Sequence, residues 1–312
     1  MKCTNYTLQA HKILILLIAT MVFSCAGSKR GGQEDFVPKA EISFLSNVEI
    51  DLMLAATSRQ DMTISQRINH YSEKFLDMDY SWTATGDSPY ALLEAWPLVN
   101  FGQTNCMVFC EHVLALAISD SWDNFFNNLQ QIRYRDGLIG MRTRNHYTMA
   151  DWLPENDWLL EDVTRSVGLG DTRTVTRTIS HENFFRGKGI TDLRYVLPDR
   201  EVTIPYVPKE ALDRIEGRLR VGDIGAIIYA DKTDIFSAHM FMIAAEDGIK
   251  YVREATTRGN TTFDTPYAWW FPMIEENEQY IGISVMRVRK ELNTPGRIIL
   301  PSEIPGLKRT VR

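Results

Sequence analysis

Residues 104–118, from Thr104 to Ile118, read TNCMVFCEHVLALAI. From Cys106 onward the run contains no Gly or Pro and is apolar almost all round, which predicts a helix packed through the core rather than laid on the surface. Asn105, or Thr104 just before it, is suited to cap that helix, because a short polar side chain there accepts free backbone N–H groups of the first turn. Cys106 then opens the helix, where those N–H groups and the helix dipole favour a thiolate. Cys110 lies one turn further on. That spacing is poor for a disulfide between them, so Cys110 reads as core packing.

Upstream, Ile50, Leu52, Met53, Leu54, Met62, Ile64, Ile68, Tyr71 and Phe75 recur every three to four positions, which predicts helices interrupted near Asp61. A polar loop is expected from Asp79 to Ser88, and a further helix from Trp122 to Gln131. Gly and Pro then multiply, and residues 132–200 read as an elaborated segment with irregular loops. A short helix is expected from Lys209 to Glu216. Between Val221 and Val288 the apolar period shortens toward two, which predicts antiparallel strands in GDIGAIIYA, HMFMIAA, IKYVREAT and YIGISVMRV, with a Glu246-Asp247-Gly248 turn joining two of them. Helices first and sheet second is an α+β order.

The 312 residues carry 34 Lys+Arg against 40 Asp+Glu and are 44% hydrophobic. The formal charge of -6 excludes the basic excess of a nucleic-acid binder, and the hydrophobic fraction excludes a disordered chain. Residues 1–24 have the form of a secretory signal: Lys2 and Lys12 precede an apolar run from Ile13 to Phe23. The VFSC tail, followed by Ala26 and Gly27, resembles a bacterial lipobox, in which the signal is cut before a cysteine that is then lipidated. Cys3 leaves with the signal in this reading, and Cys25 becomes a lipid anchor to the membrane. The Gly-rich, charged residues 25–37 form a tether, and one domain occupies 38–312. His112, His146 and His181 are too widely spaced for a compact metal motif, so no metal and no cofactor are expected.

His239 heads one predicted strand and Glu254 lies on the next. If those strands pair, a cysteine at a helix start faces a histidine on a sheet with a polar orienter behind it, the arrangement needed for thiolate attack on an amide carbonyl. The stretches FLDMDYSW, TNCMVFCEHVLALA, IRYRDG, RNHY, VGDIGAII, AHMFMI and YVREAT resemble the N-acetylmuramoyl-L-alanine amidase-like branch of the NlpC-like, papain-related cell-wall hydrolases. The likeness runs from about Phe75 to Val288. In that family an Asp-Cys typically precedes Thr-Phe-Val-Glu; here Asn105 stands before Cys106. The family's base, a histidine opening a strand, maps to His239. Its third polar residue, often histidine, maps to Glu254, and Asp77 stands where glycine is common.

The resemblance implies a papain-like NlpC-type fold, with a helical N-terminal part packed on a C-terminal antiparallel sheet. It also implies a cysteine hydrolase of peptidoglycan or muropeptide fragments in the bacterial envelope, lipid-anchored at the outer membrane and facing the periplasm. Cys106 is the expected nucleophile, His239 the base and Glu254 the orienter, with Tyr80 and the Cys106 N–H near the oxyanion. Asn105, Arg135, His146 and Trp152 join Tyr80 as expected substrate-binding or oxyanion residues, the last three within a polar set, with Arg133, Asp136, Arg144, Asn145 and Asp151, that shapes the floor and rim of the cleft or forms a salt-bridged loop scaffold. Trp269 and Trp270 suit either a sugar platform or core packing. The bond cut is expected to be the N-acetylmuramoyl-L-alanine amide; a γ-D-glutamyl-diamino-acid bond, or a non-catalytic wall-binding role, stays open at this level.

Overall fold

The computed structural model describes residues 41–86, 94, 97–194 and 196–311, which lie in one body spanning Lys39–Arg312. The signal at 1–24, Cys25 and the tether at 25–37 lie outside the described residues, as does the end of the expected loop at Asp79–Ser88.

Two short N-terminal helices, α1 (Asn47–Ser58) and α2 (Ile64–Glu73), each start at a capping box, Ser46 with Glu49 and Thr63 with Gln66. In each box two backbone donors that a helix start leaves free are satisfied reciprocally, and this fixes the break expected near Asp61. Helix α3 (Cys106–Ala117) is flanked by α2 and by α4 (Trp122–Arg133), with the sheet beneath it. Every α3 residue from Val108 to Ala117 is buried, including Glu111 and His112. Glu111 is offset by Arg133 of α4, whose Nε donates across 2.6 Å. His112 Nδ1 lies 2.8 Å from the Val108 carbonyl oxygen and its ring packs among Phe75, Phe101 and Phe125. It is a satisfied core histidine.

Ten strands form one sheet among the described residues: β1 (Asp79–Tyr80), β2 (Gln103–Thr104), β3 (Leu160–Asp162), β4 (Arg173–Ile179), β5 (Arg200–Pro208), β6 (Ile224–Tyr229), β7 (Ser237–Glu246), β8 (Ile249–Thr256), β9 (Thr261–Pro266) and β10 (Tyr280–Val288). Their order is β2-β1-β9-β8-β7-β6-β10-β5-β4, with β3 also on β10. The pairings are antiparallel except β1 with β2. Alternation sends Ala226, Ile228, Met240, Met242 and Met286 toward the helices, and Ile227, Phe241, Ile243, Val252 and Val285 to the opposite face. There they meet Tyr267, Trp270 and Ile274 of α5 (Tyr267–Glu275). Each large apolar side chain buried this way contributes roughly 1.5–3 kcal/mol.

The strands expected from Val221 to Val288 correspond to β6, β7, β8 and β10. Asp247 and Gly248, both at positive φ, turn β7 into β8 as the Glu-Asp-Gly signal predicts. Segment 132–200 also supplies β3 and β4, and β4 pairs with β5 over seven positions at the far edge of the sheet. Thr alternates there with Arg173, Val175, Arg177 and Ile179, so the apolar period is broken by the two arginines. The helix expected at Lys209–Glu216 is a 3-10 segment, Lys209–Arg214.

Two backbone positions test this packing. Gly282 in β10 has φ 151°, and a Cβ there would lie 1.9 Å from the Val207 carbonyl oxygen of β5. Asp77 has φ 64°, which accounts for the glycine common there in the resembling family. Gly282→Ala is expected to lose roughly 3 kcal/mol or more of stability. Asp77→Gly is expected to stay within about 1 kcal/mol of the parent. Urea unfolding midpoints check both, and an unperturbed Gly282→Ala would contradict the β5–β10 approach.

Candidate active site

The start of α3 meets the sheet at β7 and β8. Asn105 is the cap: its Oδ1 accepts from the backbone N–H of Met107 at 3.1 Å and of Val108 at 2.9 Å. Cys106 therefore begins the helix with its side chain only partly covered. The β7–β8 register, set by Met242 opposite Arg253, puts Glu254 diagonal to His239 on one face of the sheet. His239 Nε2 lies 2.8 Å from Glu254 Oε2, although the carboxylate is not in line with the ring N–H. Engagement of Nε2 leaves Nδ1 for the thiol. The other Glu254 oxygen accepts from Arg258 Nη2 at 2.9 Å, so the carboxylate is held from two sides while buried.

Burial favours a neutral thiol, but the neighbouring imidazolium of His239 outweighs it and lowers the Cys106 pKa below its ordinary value. Burial also disfavours the imidazolium, yet the Cys106 thiolate and the Glu254 carboxylate raise His239 to about 10. The thiolate and the imidazolium thus stabilise each other. For Cys110, burial and then the nearby Cys106 charge push the thiol well above the ordinary range, which matches a packing role.

Two hollows meet at this pair. One, of about 470 Å³, is lined by Cys106, His239, Glu254, Arg258, Trp270 and Tyr280. The other, of about 290 Å³, is lined by Cys106, His239, Asn145, His146, Thr148 and Phe184. Tyr80 and Trp82 border both, with their rings edge to face at 5.4 Å, and Trp82 is 72% exposed. A chain-like substrate can pass the thiol with a part on each side.

The remaining expected site residues separate. Tyr80 is at the cleft. Asn105 borders it, but its side-chain oxygen is committed to the helix. His146 forms wall: its Nε2 is 2.8 Å from the Met141 carbonyl oxygen, its ring stacks on Phe184, and burial lowers its pKa to about 3. Arg135 lies elsewhere, in a separate cavity next to the second hollow. Trp152 is fully buried in the helical core, where apolar packing claims it, and it lines neither hollow. Of the paired tryptophans, Trp270 is buried against Phe241 while Trp269 is exposed. Arg258, Trp82 and Tyr280 escaped the sequence reading. For Arg258, the opposite charge four residues after Glu254 across a tight turn was the available signal.

Among the described residues no group of three His, Cys, Asp or Glu side chains is placed to hold a metal ion, and no helix is long and apolar enough to cross a membrane. The site thus sets a helix-borne cysteine beside a strand histidine, on an α+β scaffold of helices packed against an antiparallel sheet. Residues 70–271 match the model of the N-acetylmuramoyl-L-alanine amidase-like family, and the chain belongs to that family. A protein from Legionella pneumophila strain Philadelphia 1 has a similar solved structure, with TM-score 0.69 and 19% identity over 80% of this chain and 97% of that one, a likeness of fold alone. An N-acetylmuramoyl-L-alanine amidase from Bacteroides uniformis is similar at TM-score 0.58 and 25% identity, over 73% of this chain and 99% of that one. A comparison with curated proteins found no match.

The mutual charging of Cys106 and His239 is testable by thiol alkylation. Cys106 is expected to react at neutral pH and to lose reactivity as pH falls through its lowered pKa. His239→Asn removes the cation, so burial dominates and the reactive limb moves to higher pH, slowing labelling at pH 7 about tenfold or more. Cys110 is expected to stay unlabelled. Equal pH profiles for parent and His239→Asn would show that the histidine does not charge the thiol.

Proposed function

We propose that this chain is a cysteine-dependent peptidoglycan amidase of the papain-like NlpC branch, cutting the amide between N-acetylmuramic acid and L-alanine. The observation that carries the reading is the alignment of Cys106, His239 and Glu254 at a cleft open on both sides of the sulfur. The Bacteroides uniformis relative, itself described as such an amidase, supports the choice of bond.

In this mechanism the Cys106 thiolate attacks the amide carbonyl carbon, and the oxygen takes up the negative charge beside the Cys106 backbone N–H and Tyr80. The His239 imidazolium passes its proton to the leaving nitrogen, the C–N bond breaks, and the peptide departs with a free amine. Water then gives one proton to neutral His239 and its hydroxide attacks the thioester, the C–S bond breaks to restore the thiolate–imidazolium pair, and the carboxylic acid released loses its proton to solvent. Glu254 holds the imidazole and stabilises its charge. Asn105 suits this role as a neutral cap, since it places no second negative charge beside the thiolate. Residues 1–24 as a secretory signal, Cys25 as a lipid anchor, 25–37 as a tether and 38–312 as one catalytic domain place the enzyme at the bacterial outer membrane, facing the periplasm.

Digestion of purified peptidoglycan and defined muropeptides, with mass analysis of the products, tests both the activity and the bond. The parent is expected to release free stem peptide, and Cys106→Ala to lose at least about 10³-fold in kcat. Products cut within the stem would instead identify the γ-D-glutamyl-diamino-acid bond. Unchanged cleavage by Cys106→Ala would sink the cysteine mechanism. Glu254 raises the pKa of His239, so Glu254→Gln is expected to move the alkaline limb of kcat/KM to lower pH.

A further inference from the structure

A third cavity, of about 350 Å³, is lined by Arg135, Arg142, Arg144, Arg200, Asp151 and His181. Three of these arginines are already held by carboxylates: Arg142 by Asp192 at 3.0 Å, Arg144 by Glu94 at 2.8 Å and Arg200 by Asp151 at 2.5 Å. Asp151 is further occupied, since His181 Nε2 lies 2.8 Å from its Oδ2 and the Tyr147 N–H donates to the same oxygen at 3.1 Å. Glu155, also at the wall, faces Lys308 at 3.7 Å.

Arg135 differs from the other three. Its backbone N–H donates to the Thr143 carbonyl oxygen, while its guanidinium meets no carboxylate among the described residues. It is half-buried at the wall of a cavity where cations outnumber carboxylates. A planar guanidinium fork matches a carboxylate in bidentate geometry, and with the neighbouring arginines already offset by carboxylates, Arg135 is the cation left to supply it.

The cavity adjoins the cleft. Arg144 and Asn145 line both it and the hollow that holds Cys106 and His239, so a ligand running along that hollow reaches the arginines across those two residues. The exposed aromatic surface at the cleft is Trp82, which borders the two hollows and not this cavity. The arginine cluster therefore lies beyond the second hollow, while Arg258 in the first is engaged by Glu254.

We infer that this arginine-lined cavity is a subsite for a free carboxylate on the peptide part of the substrate, with Arg135 as its available cation. The inference rests on the amidase reading for the identity of the substrate, and it sets a preference for stem peptides whose acid groups are neither amidated nor cross-linked.

Equilibrium binding to full-length Cys106→Ala protein tests the subsite without turnover. The probes are N-acetylmuramoyl-L-alanyl-γ-D-glutamyl-diaminopimelate with free carboxylates and the same compound with each carboxylate converted to carboxamide. The free acid is expected to bind at least tenfold more tightly. Adding Arg135→Met is expected to abolish that difference, and Arg135→Lys to restore part of it. Equal binding of the two probes, or a preference that survives Arg135→Met, overturns the proposal. Turnover by the parent, measured on the same compounds, reads the amidase function separately. Failure to cleave either compound while the Arg135-dependent preference persists ends the amidase reading and leaves the subsite. Cleavage of both with equal KM in parent and Arg135→Met ends the subsite alone.

Discussion

Burial of α3 between two helices and a sheet is the constraint on which the other features rest. A helix covered on nearly every side has little freedom to rotate or slide, because its neighbours are close-packed and each shift opens a void. Its N-terminus therefore stays aimed at β7. The cost is that two polar residues, Glu111 and His112, are buried with it. Arg133 answers the first at 2.6 Å and the Val108 carbonyl answers the second at 2.8 Å. Without these partners each group would be left desolvated and unpaired, which is far more damaging than never having placed it there.

The same fixed placement governs the charges. Asn105 gives its side-chain oxygen to two helix N–H groups, while His239 and Glu254 arrive on adjacent strands whose register leaves them diagonal neighbours. Neither strand alone would charge the thiol. It is the meeting of a helix start with a strand pair that lets the interactions of thiolate, imidazolium and carboxylate exceed the desolvation that opposes them. The buried Arg253–Asp264 pair, at 2.7 Å, and the Arg253 contact with Ser72 of α2 keep β8 and β9 fastened to the helical layer on the other face.

Legibility in the sequence followed physical periodicity. The helix from Cys106, its asparagine cap and the strands after Val221 have strong local signals, and they carry the positions of Cys106 and His239 with them. Glu254 becomes a candidate only if the two strands pair, and the structure pairs them. What stayed hidden lacked either period or proximity. Strand β4 reads RTVTRTI, in which only Val175 and Ile179 are apolar and Arg takes the alternate inward positions, and β9 reads TTFDTP. Trp152 and Arg135 sat in the same polar run, which suggested one shared location. The fold sends the first to the core and the second to another cavity, a separation that arises from tertiary packing and leaves no trace in local composition.

The two-residue ladder between β1 and β2 sets Tyr80 beside Thr104, two residues before Cys106, and is extended by the bond from the Ser81 N–H to the Thr104 carbonyl oxygen. The connection from residue 81 to 102 thus leaves and returns to a single short clasp next to the sulfur. Closing a longer connection costs free energy that grows only slowly with its length. The connection is nevertheless tied to the body at several described points, since Arg133 donates to the Leu98 carbonyl oxygen, Arg144 pairs with Glu94 and Ala84 and Leu98 are buried. One pair of backbone neighbours thereby keeps Tyr80 in step with the start of the helix that carries Cys106.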